Sequence, residues 1–199
     1  METSDREPAF RRAVRWVALA NFGYFGVEGA VALAIGSVAL FADSVDFLED
    51  ASLNLLILLA LGWSLAARAR LGQGLALLLL VPSAAALWTA IAKIADPAVP
   101  EPLALGATGA GALAVNLGCA LLLARFRRTS GSLARAAFLS ARNDALANLG
   151  IIGAGLVSAT IWPSAWPDIL VGLAIGAVNL DAAREVWTAA RREQREARG

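Results

Sequence analysis

The sequence predicts an all-α integral membrane protein with six transmembrane helices and both termini in the cytoplasm. Three observations carry that reading. Hydrophobic residues make up 58% of the 199 residues and charged residues only 17%, and the mean hydropathy is +0.64. A water-soluble domain of this size has too little interior to hide that much apolar surface. Six apolar stretches are long enough to cross a hydrocarbon core, which takes about 20 residues in a helix. The basic residues gather on alternate connections, as the positive-inside rule requires.

The six spans run over 13–35, 38–65, 74–94, 103–124, 134–160 and 168–189. Each break carries turn chemistry. Gly36-Ser37 makes a very short turn, and residues 67–72 form a short basic link. Residues 96–102 hold three prolines, and 126–132 are basic with Thr, Ser and Gly. Residues 161–167 contain Trp162, Pro163, Trp166 and Pro167. The chain therefore divides into a cytoplasmic tail (1–12), a six-helix membrane domain (13–189) and a short basic cytoplasmic tail (190–199). Of the 17 basic residues, all but Lys93 and Arg142 fall on the side of the termini. Trp16, Trp162, Trp166 and Trp187 lie near span ends, where indole rings anchor at the interface. The organisation predicts a multi-pass protein of the cell (inner) membrane, in contact with the lipid bilayer.

Composition also removes function classes. The chain has no His and one Cys, Cys119, so His-based zinc sites, Ser-His-Asp chemistry and internal disulfides are out of reach. No long soluble segment or Gly-rich phosphate loop is present, so no ATP site is expected in these residues. The balanced charge of +1 gives no sign of a nucleic-acid partner.

The informative residues are those a membrane interior should not contain. An ionisable side chain at the bilayer centre costs about 2.5–3.5 kcal/mol on insertion scales. Helix one nevertheless carries Asn21 and Glu28, and helix two carries Asp43, Asp46, Glu49, Asp50 and Asn54. Helix five carries Arg142, Asn143, Asp144 and Asn148, and helix six Asn179 and Asp181. Asp43 and Asp181 read equally well as helix-end residues in water. Asp46, Asp50 and Asp144 have long apolar flanks and do not.

Asp46, Asp50 and Asn54 are four residues apart and share one helix face, and Ser140, Asp144 and Asn148 repeat the spacing on helix five. At about 1.5 Å per residue, Asp46 and Asp50 lie about 12–18 Å into helix two, and Ser140 and Asp144 about 9–15 Å into helix five. Both sets fall near mid-membrane. Like carboxylates at that depth persist only with a cation or a proton between them. An all-oxygen cage with two or three anionic ligands suits a divalent metal. Asn54, Asn148, Asn143, Asp43 and Glu28 are candidate secondary ligands or proton relays, and Glu28 reads equally as a structural bond to a neighbouring helix.

The stretch GSVALFADSVDFLED, Gly36–Asp50, resembles the second membrane helix of the cation diffusion facilitator family. Asp46-Phe-Leu-Glu-Asp50 matches the family's helix-two ligand pair, and Asp144, within SARNDALANLG, matches a helix-five ligand. Ser140 stands where the family usually has His or Asp. The Trp166-Pro167-Asp168 start of helix six is also similar. The resemblance implies six helices with cytoplasmic ends and metal/proton antiport that exports a divalent metal. It implies a metal site of Asp46, Asp50, Asp144 and Ser140. The partners would be a divalent metal ion and protons, with no permanently bound cofactor and no enzymatic activity. The link between helices four and five lacks the His-rich loop of many members, and little chain follows helix six, so a short, membrane-only member is expected. Without His, Mn, Fe, Co, Zn and Mg remain open as cargo.

Two other classes compete. Asp43-x-x-Asp46-x-x-x-Asp50 also fits half of the aspartate motif of Mg-dependent membrane prenyltransferases. However, a second motif and basic groups for a diphosphate are missing. A proton-coupled carrier of another solute would use the same acids as relays. Gly172 and Gly176 form a GxxxG on helix six, which serves close packing within the chain or a homodimer contact.

Overall fold

The computed structural model describes residues 3–60, 74, 84, 87–124, 126 and 131–196. Among these residues the elements are α1 (Thr3–Ile35), α2 (Val38–Ala60), α3 (residues 87–95), α4 (Pro102–Ala124), α5 (Gly131–Thr160) and α6 (Trp166–Glu196). Among the described residues there is no strand, and the fold is all-α.

The helix ends follow local chemistry. Gly36 takes φ 64°, the left-handed conformation that closes α1 at no steric cost. The Ser37 N–H then donates back to Ala32 O at 3.0 Å, which completes a Schellman closure. Ser37 is also the N-cap of α2, its Oγ accepting from Leu40 N at 3.1 Å. Pro102 opens α4, where its missing N–H is no loss. The Glu101 carboxylate accepts from Leu103 N at 3.0 Å and Ala104 N at 2.5 Å. Four predicted boundaries, at Ile35, Val38, Ala124 and Thr160, coincide with observed ones. The outer helices run further than their apolar cores. α1 begins at Thr3 and α6 continues to Glu196, because the polar extensions keep good helix formers such as Arg, Ala and Glu. Residues 61–65 of the second predicted span, and most of the third, lie outside the described residues.

Among the described residues, two helices are long and apolar enough to cross a bilayer on composition alone, Pro8–Ile35 and Pro102–Ala124, with hydropathies of 1.4 and 1.7. α5 and α6 contain shorter apolar runs, Asp144–Thr160 and Trp166–Val178. α2 is interrupted by its own acids.

α2 packs against α1, α5 and α6, while α4 pairs with α5 and leans on α1. One apolar cluster joins five helices through Ala32, Ala39, Leu40, Leu105, Ile151 and Ile175. A second joins α1 to α4 through Val14, Val17, Cys119 and Leu123. Small residues set the approach distances. A Cβ on Gly172 would lie 2.7 Å from Ala39 N, so α6 touches the α2 backbone there. A Cβ on Gly155 would lie 3.2 Å from Gly106 N on α4. Gly172 of the GxxxG pair thus serves packing inside the chain, whereas a Cβ on Gly176 would meet nothing within 4 Å.

The radial distribution is inverted relative to a water-soluble bundle. Leu103, Leu121, Leu33 and Val178 are among the most exposed side chains, while Asn21, Glu28, Asp43, Asn148 and Asp168 are fully buried. Apolar atoms outside and polar atoms inside is the arrangement of a helix bundle solvated by lipid.

Candidate cation site

α2 supplies the acidic face. Its register places Asp43, Asp46 and Asp50 within two turns, with Glu49 beside them. Asp43 is fully buried, Glu49 and Asp50 nearly so, and Asp46 is half-buried. Asp43 is therefore not a water-facing helix-end residue, whereas Asp181 on α6 is exposed.

α5 brings Asp144 to this face. The Asp144 carboxyl lies against that of Asp50 and within electrostatic reach of Asp43 and Glu49. Asp46 in turn interacts with Asp144, Asp43, Glu49 and Asp50. The i,i+4 stripe of α2 and the acid of α5 thus meet in the bundle interior. Asn148 is also buried, with neither amide atom hydrogen-bonded among the described residues. Asn54 donates from Nδ2 to Asp50 O at 2.8 Å, and its Oδ1 has no donor among the described residues. Ser140 and Asn143 lie on α5, with side chains outside the described residues. Among the described residues, no three His, Cys, Asp or Glu side chains close into a group able to chelate one ion. The acids form a chain of neighbours along α2 and across to α5.

Glu28 on α1 faces Asp43 on α2. Neither of its carboxyl oxygens has a hydrogen-bond partner among the described residues. Tyr24, one turn earlier on α1, stacks near Phe47 with ring centroids 5.0 Å apart. Its hydroxyl donates to Thr108 O on α4 at 2.6 Å.

A second polar centre escaped the sequence reading. Asp168, at the start of α6, is fully buried beneath the α1–α2 turn. Its Oδ1 accepts from Ser37 Oγ at 2.5 Å and Ala39 N at 3.2 Å, and its Oδ2 from Val38 N at 2.9 Å. Lys93 of α3 donates to Asp168 Oδ2 at 2.9 Å and to Gly36 O at 2.5 Å. Asp168 therefore caps α2, a helix other than its own, and its charge matches the positive end of that helix. One signal was available in sequence: Lys93 breaks the one-sided distribution of basic residues. Asn116, buried on α4 within an apolar run, was also overlooked.

The fold and its buried acids define a membrane protein whose interior is built to handle charge. Residues 73–192 match the family model of the cation efflux transmembrane domain. The chain belongs to the cation efflux, or cation diffusion facilitator, family, whose members transport divalent metal cations. The match includes α3, α4, α5 with Asp144, and α6 as far as residue 192, while Asp46 and Asp50 precede it. No curated protein matches the chain. Membership of a transporter family sets the prenyltransferase-like reading aside in favour of cation transport.

Proposed function

We propose that the chain is a six-span antiporter of the cell membrane that exports a divalent metal from the cytoplasm in exchange for protons. Asp46, Asp50 and Asp144 are its anionic ligands, with Ser140 as a neutral one. The meeting of Asp144 on α5 with Asp50 and Asp46 on α2 carries this reading. Acids crowded in a poorly hydrated interior need positive charge among them, and metal and protons are alternative sources of it. Metal binding to acids that hold protons must release them, which couples the two fluxes. Asn54, Asn148 and Asn143 are secondary ligands or proton relays in this reading. The one-sided arginines support cytoplasmic termini, and Gly176, where a Cβ would meet nothing within 4 Å, leaves room for a homodimer contact.

The experiment is an uptake panel of Mn²⁺, Fe²⁺, Co²⁺, Zn²⁺ and Mg²⁺ into inside-out vesicles under an imposed pH gradient. Uptake of at least one ion should follow the gradient. Asp46→Asn, Asp50→Asn and Asp144→Asn should each abolish it while inserting normally, and Ser140→Ala should be milder. Flux that ignores the gradient would make the protein a uniporter, and wild-type flux by Asp144→Asn would remove α5 from the site.

A further inference from the structure

Two buried amides outside the ligand set just proposed fall at the level of its acids. Asn21 of α1 is fully buried between the exposed Leu19 and Phe22, and neither of its amide atoms has a hydrogen-bond partner among the described residues. Asn116 of α4 is buried beside the exposed Leu117. Both side chains therefore turn into the bundle and away from its outer face. Helix contacts fix their level. The rings of Tyr24 and Phe47 lie 5.0 Å apart, and three residues further from the Gly36 turn on α1 and α2 stand Asn21 and Asp50. Asn21 lies between Val17, which shares an apolar cluster with Cys119, and Tyr24, whose hydroxyl donates to Thr108 O at 2.6 Å. That register sets Asn21 and Asn116 at one level to within about a helical turn. A Cβ on Gly109 would lie 2.9 Å from Ile151 Cγ2. Seven residues from that contact, about two turns, lead along α4 to Asn116 and back along α5 to Asp144. Asn21, Asp50, Asn116 and Asp144 thus occupy one layer across four helices.

We infer that Asn21 and Asn116 are ligands of the transported ion, their amide oxygens adding to the set begun by Asp50 and Asp144. The inference rests on the metal-site reading and extends it to α1 and α4. A buried amide without a partner is costly, and a bound ion is one occupant that answers it. The ordinary use of an asparagine in a membrane helix is a bond to a neighbouring helix, and Asn21 makes none among the described residues. Hard divalent ions take six or more oxygens, amide carbonyls among them. The acids of α2 and α5 supply the charge. Oxygens beyond those are better neutral, because every surplus anion is left without its counter-charge in a dry interior once the ion departs. Carboxylate and amide oxygens together are the donors of ions such as Mn²⁺ and Mg²⁺. The two most extensive helix pairs, α1 with α2 and α4 with α5, each bring one acid and one amide to the layer.

The test is Mn²⁺ titration calorimetry of the purified full chain, with metal-free unfolding in mixed detergent and SDS micelles of the same proteins. Asn21→Leu and Asn116→Leu should each weaken Mn²⁺ binding at least about tenfold. Asn21→Asp keeps an oxygen in place and should bind Mn²⁺ at least within about threefold of wild type. Metal-free Asn21→Leu should be as stable as wild type or more so, because leucine needs no partner at that position. Wild-type Mn²⁺ affinity in either leucine variant would overturn the proposal, and so would loss of affinity in Asn21→Asp. Failure of both leucine variants to fold would overturn it as well, by making the amides structural. Asp50→Asn, run in parallel, separates the two readings. If it loses Mn²⁺ while both leucine variants keep it, the metal site stands and this inference alone falls. Normal Mn²⁺ binding by Asp50→Asn would refute the metal site itself and this inference with it.

Discussion

Asp168→Asn should destabilise the bundle more than any single change at its lipid face. The carboxylate is fully buried and accepts from Ser37 Oγ, Val38 N, Ala39 N and Lys93 Nζ. The amide keeps one acceptor oxygen and turns a donor toward groups that are donors themselves. Lys93, only 7% exposed, is left with Gly36 O as its acceptor among the bonds described above. Removing one partner of a buried ion pair costs about 3–5 kcal/mol, because the other charge stays buried. Lys93→Met should cost less, about 1–3 kcal/mol, since Asp168 retains three charge-assisted donors and the positive end of α2. The double variant should lose less than both singles together, because the stranded ammonium is gone. Unfolding in mixed detergent and SDS micelles, followed through tryptophan fluorescence, measures all four proteins. A loss below about 1 kcal/mol for Asp168→Asn, or strict additivity in the double variant, would refute the argument that this ion pair fastens α2, α3 and α6 together.

Gly172→Ala forces a Cβ to within 2.7 Å of Ala39 N, a backbone atom that cannot rotate away, and should cost about 1–3 kcal/mol in the same assay. Gly176→Ala meets nothing within 4 Å and should be neutral or stabilising by up to about 1 kcal/mol. For orientation, Pro163→Cys should react with an impermeant maleimide added to intact cells, and Thr129→Cys only after permeabilisation. The native Cys119, 2% exposed, gives a silent background. Labelling of Thr129→Cys from outside would reverse the topology.

Much of the helical framework was legible because its causes are local. Gly36 needs a left-handed backbone, Ser37 caps three residues ahead, and Pro102 and Pro167 cannot continue a preceding helix. The four-residue spacing of Asp46 and Asp50 is a property of any α-helix, so their shared face needed no tertiary knowledge. The pairing of α2 with Asp144 was legible only through the resemblance and equal depth. No local rule makes those two helices touch.

What the sequence by itself determined is the solvent and the elements: apolar stretches of membrane length, arginines clustered between those stretches and at the chain ends, and acids where lipid-embedded chains carry almost none. Tertiary structure alone decided which buried groups answer one another. Asp168 reads in sequence as an acid at the start of its own helix, yet it serves the N-terminus of α2, some 130 residues earlier in the chain. Glu28 and Asp43 read as separate oddities on two helices, yet the Gly36 turn folds α1 back on α2 and sets them face to face. The physical reason is the same in both cases. Helical backbone hydrogen bonds, their caps and the side-chain period act over about five residues or fewer, whereas the partner of a buried charge is whatever the packed bundle delivers to it.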